Sequence, residues 1–239
     1  MSILDLKYEM GEDSWLNLDK AIKQDVSRTD NLACLSANID ERKTIIINIL
    51  LKFVAFDRKT GYHQGMSDIV SLLYYSIGIE EITFWCFVGL IKYTPYGKKK
   101  HIQSSIDECV HKLKELVKLF LPSFYALLSK IDMGLEFIFA HRWIFVNCRR
   151  EFSLQDSQSI LTAILSSHYE TEFILYICLA ICACYQDEII STCQTIDDVM
   201  QFFLRLSNSI PSKLILRQAR CFGYLDNKLS TKKVKAIFQ

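Results

Sequence analysis

Residues that break helices are scarce in this chain, and the scarcity limits the folds it can adopt. The 239 residues include only three prolines and eight glycines, so long segments lack the residues that most often interrupt regular structure. Within those segments apolar residues recur three and four positions apart, which places them on one face of a helix. No segment shows the sustained alternation of a half-buried strand. The sequence therefore predicts an all-α fold, an irregular array of many helices.

The same periodicity gives approximate bounds for the helices. It predicts helices at residues 15–27, 41–57, 66–78, 80–93, 102–120, 122–132, 134–151, 155–167, 170–190, 195–208 and 211–226. Pro122 and Pro211 each open one of these segments, because proline is tolerated in the first turn of a helix. Gly78, Gly97 and Gly134 mark breaks.

The sequence leaves two predictions for the domain organisation. No fixed repeat, low-complexity tract or linker rich in Pro, Gly or Ser divides the chain. The simplest prediction is one domain over residues 1–226 with a C-terminal tail at 227–239. The alternative is two packed helical lobes that divide near Gly134, where Met133–Gly134 interrupts two long apolar segments.

The composition describes an ordered protein and does not indicate a nucleic-acid partner. Hydrophobic residues make up 50% of the chain, charged residues 23%, and the formal net charge is +1, which argues against disorder and general polyanion binding. The N-terminus mixes acidic and basic residues and lacks the apolar core of a secretory signal. The longest apolar run, residues 173–185, is shorter than the ~20 residues of a membrane span. These features predict a soluble, intracellular protein without a transmembrane segment.

Thiols, histidines and carboxylates form no recognisable metal or catalytic set in the sequence. Several of the nine cysteines lie inside apolar runs, which favours buried thiols over disulfides. No CxxC pair and no zinc-type His spacing occur, so neither a metal nor a cofactor is expected. The paired carboxylates at 80–81, 187–188 and 197–198 lie near predicted helix ends and are interpreted as structural. Nucleotide-binding and hydrolase motifs are absent, so we expect no active site of the chain's own.

The stretch AIKQDVSRTD, residues 21–30, contains a candidate ion pair. On a helix, Ile22 would point inward while Asp25 reaches Arg28, three residues later. Spacing alone makes this an ordinary intrahelical pair on a helix surface.

The stretch GYHQGMSD, residues 61–68, predicts a sharp corner between two helices. Gly61 and Gly65 allow the chain to turn, Tyr62 can anchor the turn by packing, and Asp68 lies early in the next helix, where its charge suits the positive end. Gln64 is then held on a short rigid element. Its amide would either be presented outward, or merely cap a helix or satisfy a buried carbonyl.

Together these stretches resemble the TBC domain of GTPase-activating proteins for Rab-type small GTPases. The family's IxxDxxRT signature is matched by Ile22, Asp25, Arg28 and Thr29, and its YxQGM(S/N)D signature by Tyr62, Gln64, Gly65, Met66, Ser67 and Asp68. The segments TFWCFVGLI, residues 83–91, and HRWIFVNCRREFSLQD, residues 141–156, also resemble family segments and follow in the same order. The resemblance covers roughly residues 15 to 210.

The resemblance implies a mechanism in which two side chains are delivered to another protein. Arg28 would be an arginine finger and Gln64 a glutamine finger, the second standing in for the GTPase's own glutamine. Asp25 would orient the guanidinium, Tyr62 would buttress the glutamine turn, and Asp68 would hold the loop or touch the GTPase.

The remaining motif residues would support the site or line the interface. They are Ile22, Thr29, Gly65 and Met66. His63 occupies a variable position between motif residues and is expected at the surface or interface without acid–base duty.

The implied partner is a GTP-bound Rab, which itself binds GTP and Mg²⁺. The chain would then be cytoplasmic and peripheral at endomembranes, reached transiently through the Rab. Two alternatives stay open: a catalytically impaired pseudo-GAP that binds a Rab or a scaffold, and a helical scaffold unrelated to GTPases.

The sequence departs from the family pattern at two places. The usual first helical segment with its RxxxW element is absent, and Trp15 does not restore it because no arginine precedes it by four. The domain is therefore expected to be N-terminally incomplete. Leu161 or a neighbour stands where family members often place a tryptophan, which shrinks a core anchor.

Overall fold

The computed structural model describes residues 3–29, 38–93, 102–167 and 173–237. Within these ranges no strand occurs, and the predicted all-α class is confirmed. The helices are α1 Ile3–Met10, α2 Glu12–Arg28, α3 Ile39–Phe56, α4 Met66–Ile77, α5 Glu80–Tyr93, α6 Ile102–Phe120, α7 Pro122–Leu128, α8 Ile138–Phe145, α9 Leu154–Ser166, α10 Phe173–Thr192, α11 Ile196–Arg205 and α12 Ser212–Ile237. A short 3₁₀ helix, Gly134–Glu136, lies between α7 and α8.

The chain forms two compact units, Met1–Ser105 and Ile106–Gln239. The division falls inside α6, whereas the two-lobe alternative places it near Gly134. Gly134 does interrupt the helices, but it is buried against the preceding turn of the second unit. A helix break therefore need not be a boundary between units.

Helix α3 lies at the centre of the first unit and contacts α1, α2, α4 and α5. Its inward face, which includes Ile46, Ile49, Leu50 and Phe53, is at most 1% exposed. Burial of such side chains contributes roughly 1.5–3 kcal/mol each. Because α2 and α4 both contact α3 and each other, the two motif-bearing segments are brought together.

Helix α10 forms the centre of the second unit. It is long and apolar enough to cross a membrane by length and composition, and its residues 173–182 are buried within the unit. It packs against α7, α8, α11 and α12. A helix at the centre of a helical array is apolar on all sides because apolar neighbours surround it, and a membrane-spanning helix is apolar for the same reason.

The largest differences between predicted and observed helices lie at three places. The segment predicted at 134–151 is α-helical only over α8, because Asn147 and Cys148 adopt positive φ angles of 51° and 56° and end the helix. The last helix, predicted to end at 226, continues to Ile237. The chain also forms α1 before the first predicted helix. The break at Gly97 lies outside the described residues.

Candidate functional site

Helix α2 carries the first motif at its C-terminal end. Ile22 and Val26 are buried at 0% and 1% exposure, and the prediction that Ile22 points inward is confirmed. Asp25, one residue from Val26, is also buried at 2%. Arg28 lies in the last turn and is exposed. The buried positions follow the helical period, so the face that packs on α3 and α4 carries Asp25 inward and leaves Arg28 outside.

The second motif occupies the loop between α3 and α4. Asp57 accepts hydrogen bonds from the backbone N–H and the hydroxyl of Thr60, at 3.1 and 2.7 Å, and closes a tight turn after α3. Gly61 and Gly65 have positive φ angles of 66° and 98°, which residues with a Cβ adopt only with strain. Gln64 precedes the second glycine and is exposed, and the N-cap position of α4 belongs to Gly65 and not to Gln64.

The buried carboxylate of Asp25 joins the two motifs. Its Oδ2 atom accepts three hydrogen bonds, from the Tyr62 hydroxyl at 2.5 Å, the Gly65 backbone N–H at 2.7 Å and the Ser67 hydroxyl at 2.8 Å. Hydrogen bonds to an ionised acceptor are roughly twice as strong as neutral ones. The C-terminal end of α2 is therefore fastened to the loop and to the first turn of α4.

The predicted ion pair between Asp25 and Arg28 is wrong for this structure. Oδ2 is occupied by donors from the second motif, while Oδ1 is buried without a hydrogen-bond partner. Arg28 is exposed at the helix end. A carboxylate that already has three close donors is stabilised without the pair, whereas drawing the guanidinium inward would cost it hydration.

A second tie between the motifs runs through two buried hydroxyls. Thr29 Oγ1 lies 2.8 Å from Ser67 Oγ and 3.1 Å from the Asp25 carbonyl oxygen. A hydroxyl has one proton to give, so when Ser67 donates to Asp25, Thr29 donates to Ser67 or to that carbonyl. Ser67 matches the family motif but is not among the predicted site residues. Its spacing from Asp25 in the chain gave no signal, since only the fold brings them together.

Tyr62 anchors the loop as predicted. It packs against Val54 and Ala55 of α3, together with side chains from α1 and α2. Burial, and then the hydrogen bond to Asp25, raise the pKa of Tyr62 far above its usual range. The phenol therefore stays protonated and remains a donor.

The other residues of the second motif are less accessible. Burial lowers the pKa of His63, so its imidazole is neutral at pH 7, and its backbone N–H lies 3.4 Å from Met66 Sδ. Met66 is fully buried and Asp68 is 2% exposed. Of the two roles predicted for Asp68, its burial favours holding the loop over touching a partner.

The third family-like segment, residues 83–91, builds the core of the first unit. Thr83 is buried and its hydroxyl donates to the Ile79 carbonyl, while Phe87 packs edge-on against Phe53. Trp85 is 59% exposed. The segment therefore packs against α3, after which the loop of the second motif begins.

The fourth segment, residues 141–156, holds a buried ionic network in the second unit. Arg142 donates to Glu151 Oε1 at 2.5 Å, and Glu151 is fully buried with Oε2 unpartnered. Burial raises the pKa of Glu151, although Arg142 opposes the shift. The Ser157 hydroxyl donates to the Arg149 carbonyl at 3.2 Å, and Arg149 is 3% exposed. These contacts hold the turn after α8.

Within the part of the chain that the structure describes, no three His, Cys, Asp or Glu side chains lie together as a metal site would require. The chemistry available in the first unit is instead that of two exposed groups: a permanently charged, forked donor at Arg28 and a neutral amide at Gln64 that can both donate and accept. Both are carried by segments that Asp25 joins. Such an arrangement can act on the ligand of another molecule.

Comparison with known proteins defines the class to which this helical fold belongs. The sequence model of the Rab-GTPase-TBC domain family matches residues 5–190 of this chain. The crystal structure of the Chlamydomonas flagellar RabGAP TBC domain superposes with a TM-score of 0.69 at 16% identity, covering 84% of this chain and 66% of that chain. At this identity the structural likeness shows the fold alone.

Curated relatives share more of the sequence. The human TBC1 domain family member 16 is 34% identical over 217 residues, covering 88% of this chain and 28% of the relative. The GTPase-activating protein GYP7 of Candida glabrata is 32% identical over 169 residues, covering 71% of this chain and 22% of the relative. The chain therefore spans about a quarter of the length of these relatives. The chain belongs to the Rab-GTPase-TBC domain family.

Proposed function

We propose that this chain is a GTPase-activating protein for a Rab-type small GTPase, to which it supplies Arg28 and Gln64 in trans. The GTPase binds GTP and Mg²⁺, so the chain needs no cofactor and contributes side chains without an active site of its own. Its partner is the GTP-bound form.

The chemistry assigns a different task to each finger. Negative charge on the γ-phosphoryl oxygens must be stabilised as the bond to the leaving oxygen breaks, and the planar guanidinium of Arg28 can bridge two such oxygens. The attacking water must be held in line with that bond. The amide of Gln64 can accept a hydrogen bond from the water and donate another to phosphate, which a guanidinium cannot do.

The observation that carries the proposal is the shared anchor of the two motifs. Asp25 lies one turn before Arg28 and accepts a hydrogen bond from Gly65, the residue after Gln64. Both proposed fingers are exposed, whereas Asp25, Thr29 and Gly65 beside them are buried. Side chains that act on another molecule must be exposed and held in place, and here Arg28 and Gln64 are exposed while Asp25, which joins their segments, is buried. Relatives named as GTPase-activating proteins support the same proposal.

The proposed partner also sets the place of action. Rab GTPases work on endomembranes, so the chain would be cytoplasmic and would meet these membranes transiently through the Rab. Regulation of vesicle trafficking follows as part of the proposal.

The experiment measures single-turnover GTP hydrolysis by a panel of purified Rab proteins, with and without this protein. We expect acceleration of at least one Rab, a loss of about 10³-fold for Arg28→Ala, and about 10²-fold for Gln64→Ala. Exposed residues of the same type serve as matched controls, Arg58→Ala for the arginine and Gln24→Ala for the glutamine, and both should retain the activity.

Each outcome separates the alternatives. Acceleration that survives both finger substitutions rejects the dual-finger mechanism. Binding to Rab loaded with a non-hydrolysable GTP analogue, without acceleration of any Rab, identifies the pseudo-GAP. Failure to bind any Rab favours a scaffold outside GTPase regulation.

A further inference from the structure

Resting on the proposed function, we infer that Asp25 is a positioning residue for Gln64, and that it acts on the reaction through this glutamine and not through Arg28. Its carboxylate sets the course of the loop on both sides of Gln64. The arginine on its own helix depends on it only for the general packing of α2.

The hydrogen bonds of Asp25 enclose Gln64 in the chain. Tyr62, two residues before, and Gly65, one residue after, donate to the same Oδ2 atom at 2.5 and 2.7 Å. Ser67 adds a third donor at 2.8 Å. The backbone of Gln64 is thus held from both directions by one oxygen, and only its side chain extends into solvent.

The backbone freedom of glycine gives the hydrogen bond at Gly65 its importance. With φ at 98° the residue turns its N–H toward α2 and starts α4. A glycine in this position is also the most mobile choice, since it loses more backbone freedom on ordering than any other residue. The bond to Asp25 restricts that freedom at the residue next to the finger.

No comparable contact joins Asp25 to Arg28. The second oxygen, Oδ1, is buried and has no hydrogen-bond partner. Arg28 leaves the end of α2 into solvent. The guanidinium therefore has no hydrogen bond to Asp25 that a substitution at Asp25 could remove.

The unpartnered oxygen gives a sharp prediction for two variants. In Asp25→Asn the amide nitrogen can occupy the position of Oδ1, and the remaining oxygen can accept the same three hydrogen bonds as a neutral acceptor. Asp25→Ala removes the acceptor completely. We expect Asp25→Asn to keep kcat within about threefold, because the contacts to the loop lose only their charge assistance, while its N–H groups, buried without an acceptor at the Oδ1 position, lower stability. Asp25→Ala should lower kcat by about 10- to 100-fold through misplacement of Gln64.

The decisive measurement is a double-mutant cycle on the Rab that the wild-type protein accelerates. Asp25→Ala is measured alone, with Gln64→Ala and with Arg28→Ala, and kcat is separated from KM. We expect Asp25→Ala to lower kcat with little change in KM, to cause no further loss when Gln64 is already alanine, and to cause its full loss when Arg28 is alanine. Interacting residues show such non-additivity and independent ones do not.

The opposite pattern overturns the inference. A full additional loss in the Gln64→Ala background, or none in the Arg28→Ala background, shows that Asp25 acts independently of the glutamine or through the arginine. These outcomes differ from failure of the proposed function, in which the wild-type protein accelerates no Rab or the finger substitutions have no effect.

Two further measurements keep the inference testable if Asp25→Ala does not fold. Ser67→Ala removes one donor while keeping the volume of the site, and its kcat loss of a few-fold should likewise vanish in the Gln64→Ala background. Amide hydrogen exchange of the wild-type protein needs no GTPase: the Gly65 N–H, which donates to Asp25, should exchange much more slowly than the N–H of exposed Gln64. Equally fast exchange at the two residues would contradict an anchoring bond.

Discussion

Two polar networks, one in each unit, show how similar contacts serve different ends. In the first unit a buried carboxylate, Asp25, binds donors from a second segment and leaves an arginine and a glutamine in solvent. In the second unit a buried carboxylate, Glu151, binds Arg142 itself. In the first network the carboxylate accepts hydrogen bonds from the second motif, and the arginine stays in solvent. In the second network the arginine neutralises the buried carboxylate.

Residue type alone therefore does not indicate the role of an arginine in a family-like segment. Arg28 lies in the last turn of its helix with no ion pair among the described residues, whereas Arg142 is held against a fully buried glutamate. A side chain that contacts another molecule must not be held by an ion pair within its own chain. A side chain that balances a buried charge is costly to remove.

The largest expected effect is a loss of activity without a loss of stability when the arginine of the first network is removed. Arg28→Ala should lower the accelerated rate of GTP hydrolysis by about 10³-fold, which corresponds to about 4 kcal/mol of transition-state stabilisation. Its free energy of unfolding should change by less than about 0.5 kcal/mol, since the residue is exposed. Single-turnover hydrolysis and urea unfolding of the same preparation measure the two quantities. A large stability loss would erase the contrast between the networks.

The corresponding change in the second network should show the reverse. Arg142→Ala leaves Glu151 buried without its partner, and we expect a loss of about 2–3 kcal/mol, at the low end for a broken buried pair because the arginine is one-third exposed. Urea unfolding followed by circular dichroism measures the loss. The activity per folded molecule should stay near the wild-type value, and a specific loss of activity at full stability would assign Arg142 to the functional site.

Packing offers the next comparison, between one glycine in each unit. A Cβ on Gly134 would lie 2.3 Å from the Leu128 carbonyl oxygen, whereas a Cβ on Gly89 in α5 would meet nothing within 4 Å. Gly134→Ala should therefore cost about 1–3 kcal/mol by overpacking, and Gly89→Ala should be neutral or stabilise the first unit by up to about 1 kcal/mol. Thermal unfolding of both variants tests this, and equal effects would show that the turn before α8 can relax.

The smallest expected effect concerns helix capping. Thr195 accepts a hydrogen bond from the Asp198 backbone at the start of α11, in a reciprocal capping box, whereas Asn38 at the start of α3 makes no such side-chain cap. Thr195→Ala should lower the free energy of unfolding by about 1 kcal/mol. The matched change Asn38→Ala should cost less, and a larger cost there would mean that Asn38 stabilises α3 in another way.

Much of the fold follows from periodicity, and what escaped prediction has local causes. Apolar spacing found the helices, because a helix in a packed array must bury one face. The end of α8 was missed because Asn147 and Cys148 turn left-handed without a glycine to announce it. The extension of α12 was missed because its last turns, after residue 226, lack a regular apolar stripe.

The candidate site was also predicted in part from the sequence. The motifs located Arg28 and Gln64, and glycine placement predicted the corner that the loop forms. The partner of Asp25 could not be read from the sequence, since helical spacing offered Arg28 three residues away and the actual donors lie 37 to 42 residues along the chain. Local patterns reveal local pairs, and a contact closed by tertiary structure needs the fold.

The span between Asp25 and its donors has a consequence for how the site arises during folding. Bringing together groups 40 residues apart costs loop-closure entropy that only the docking of α2, α3 and α4 can offset. In the unfolded chain α2 and the loop with Gln64 are therefore not held together. Arg28 and Gln64 are held as a pair only in the folded unit, so under the proposed function stimulated hydrolysis would report the formation of native protein during refolding more directly than helix content does.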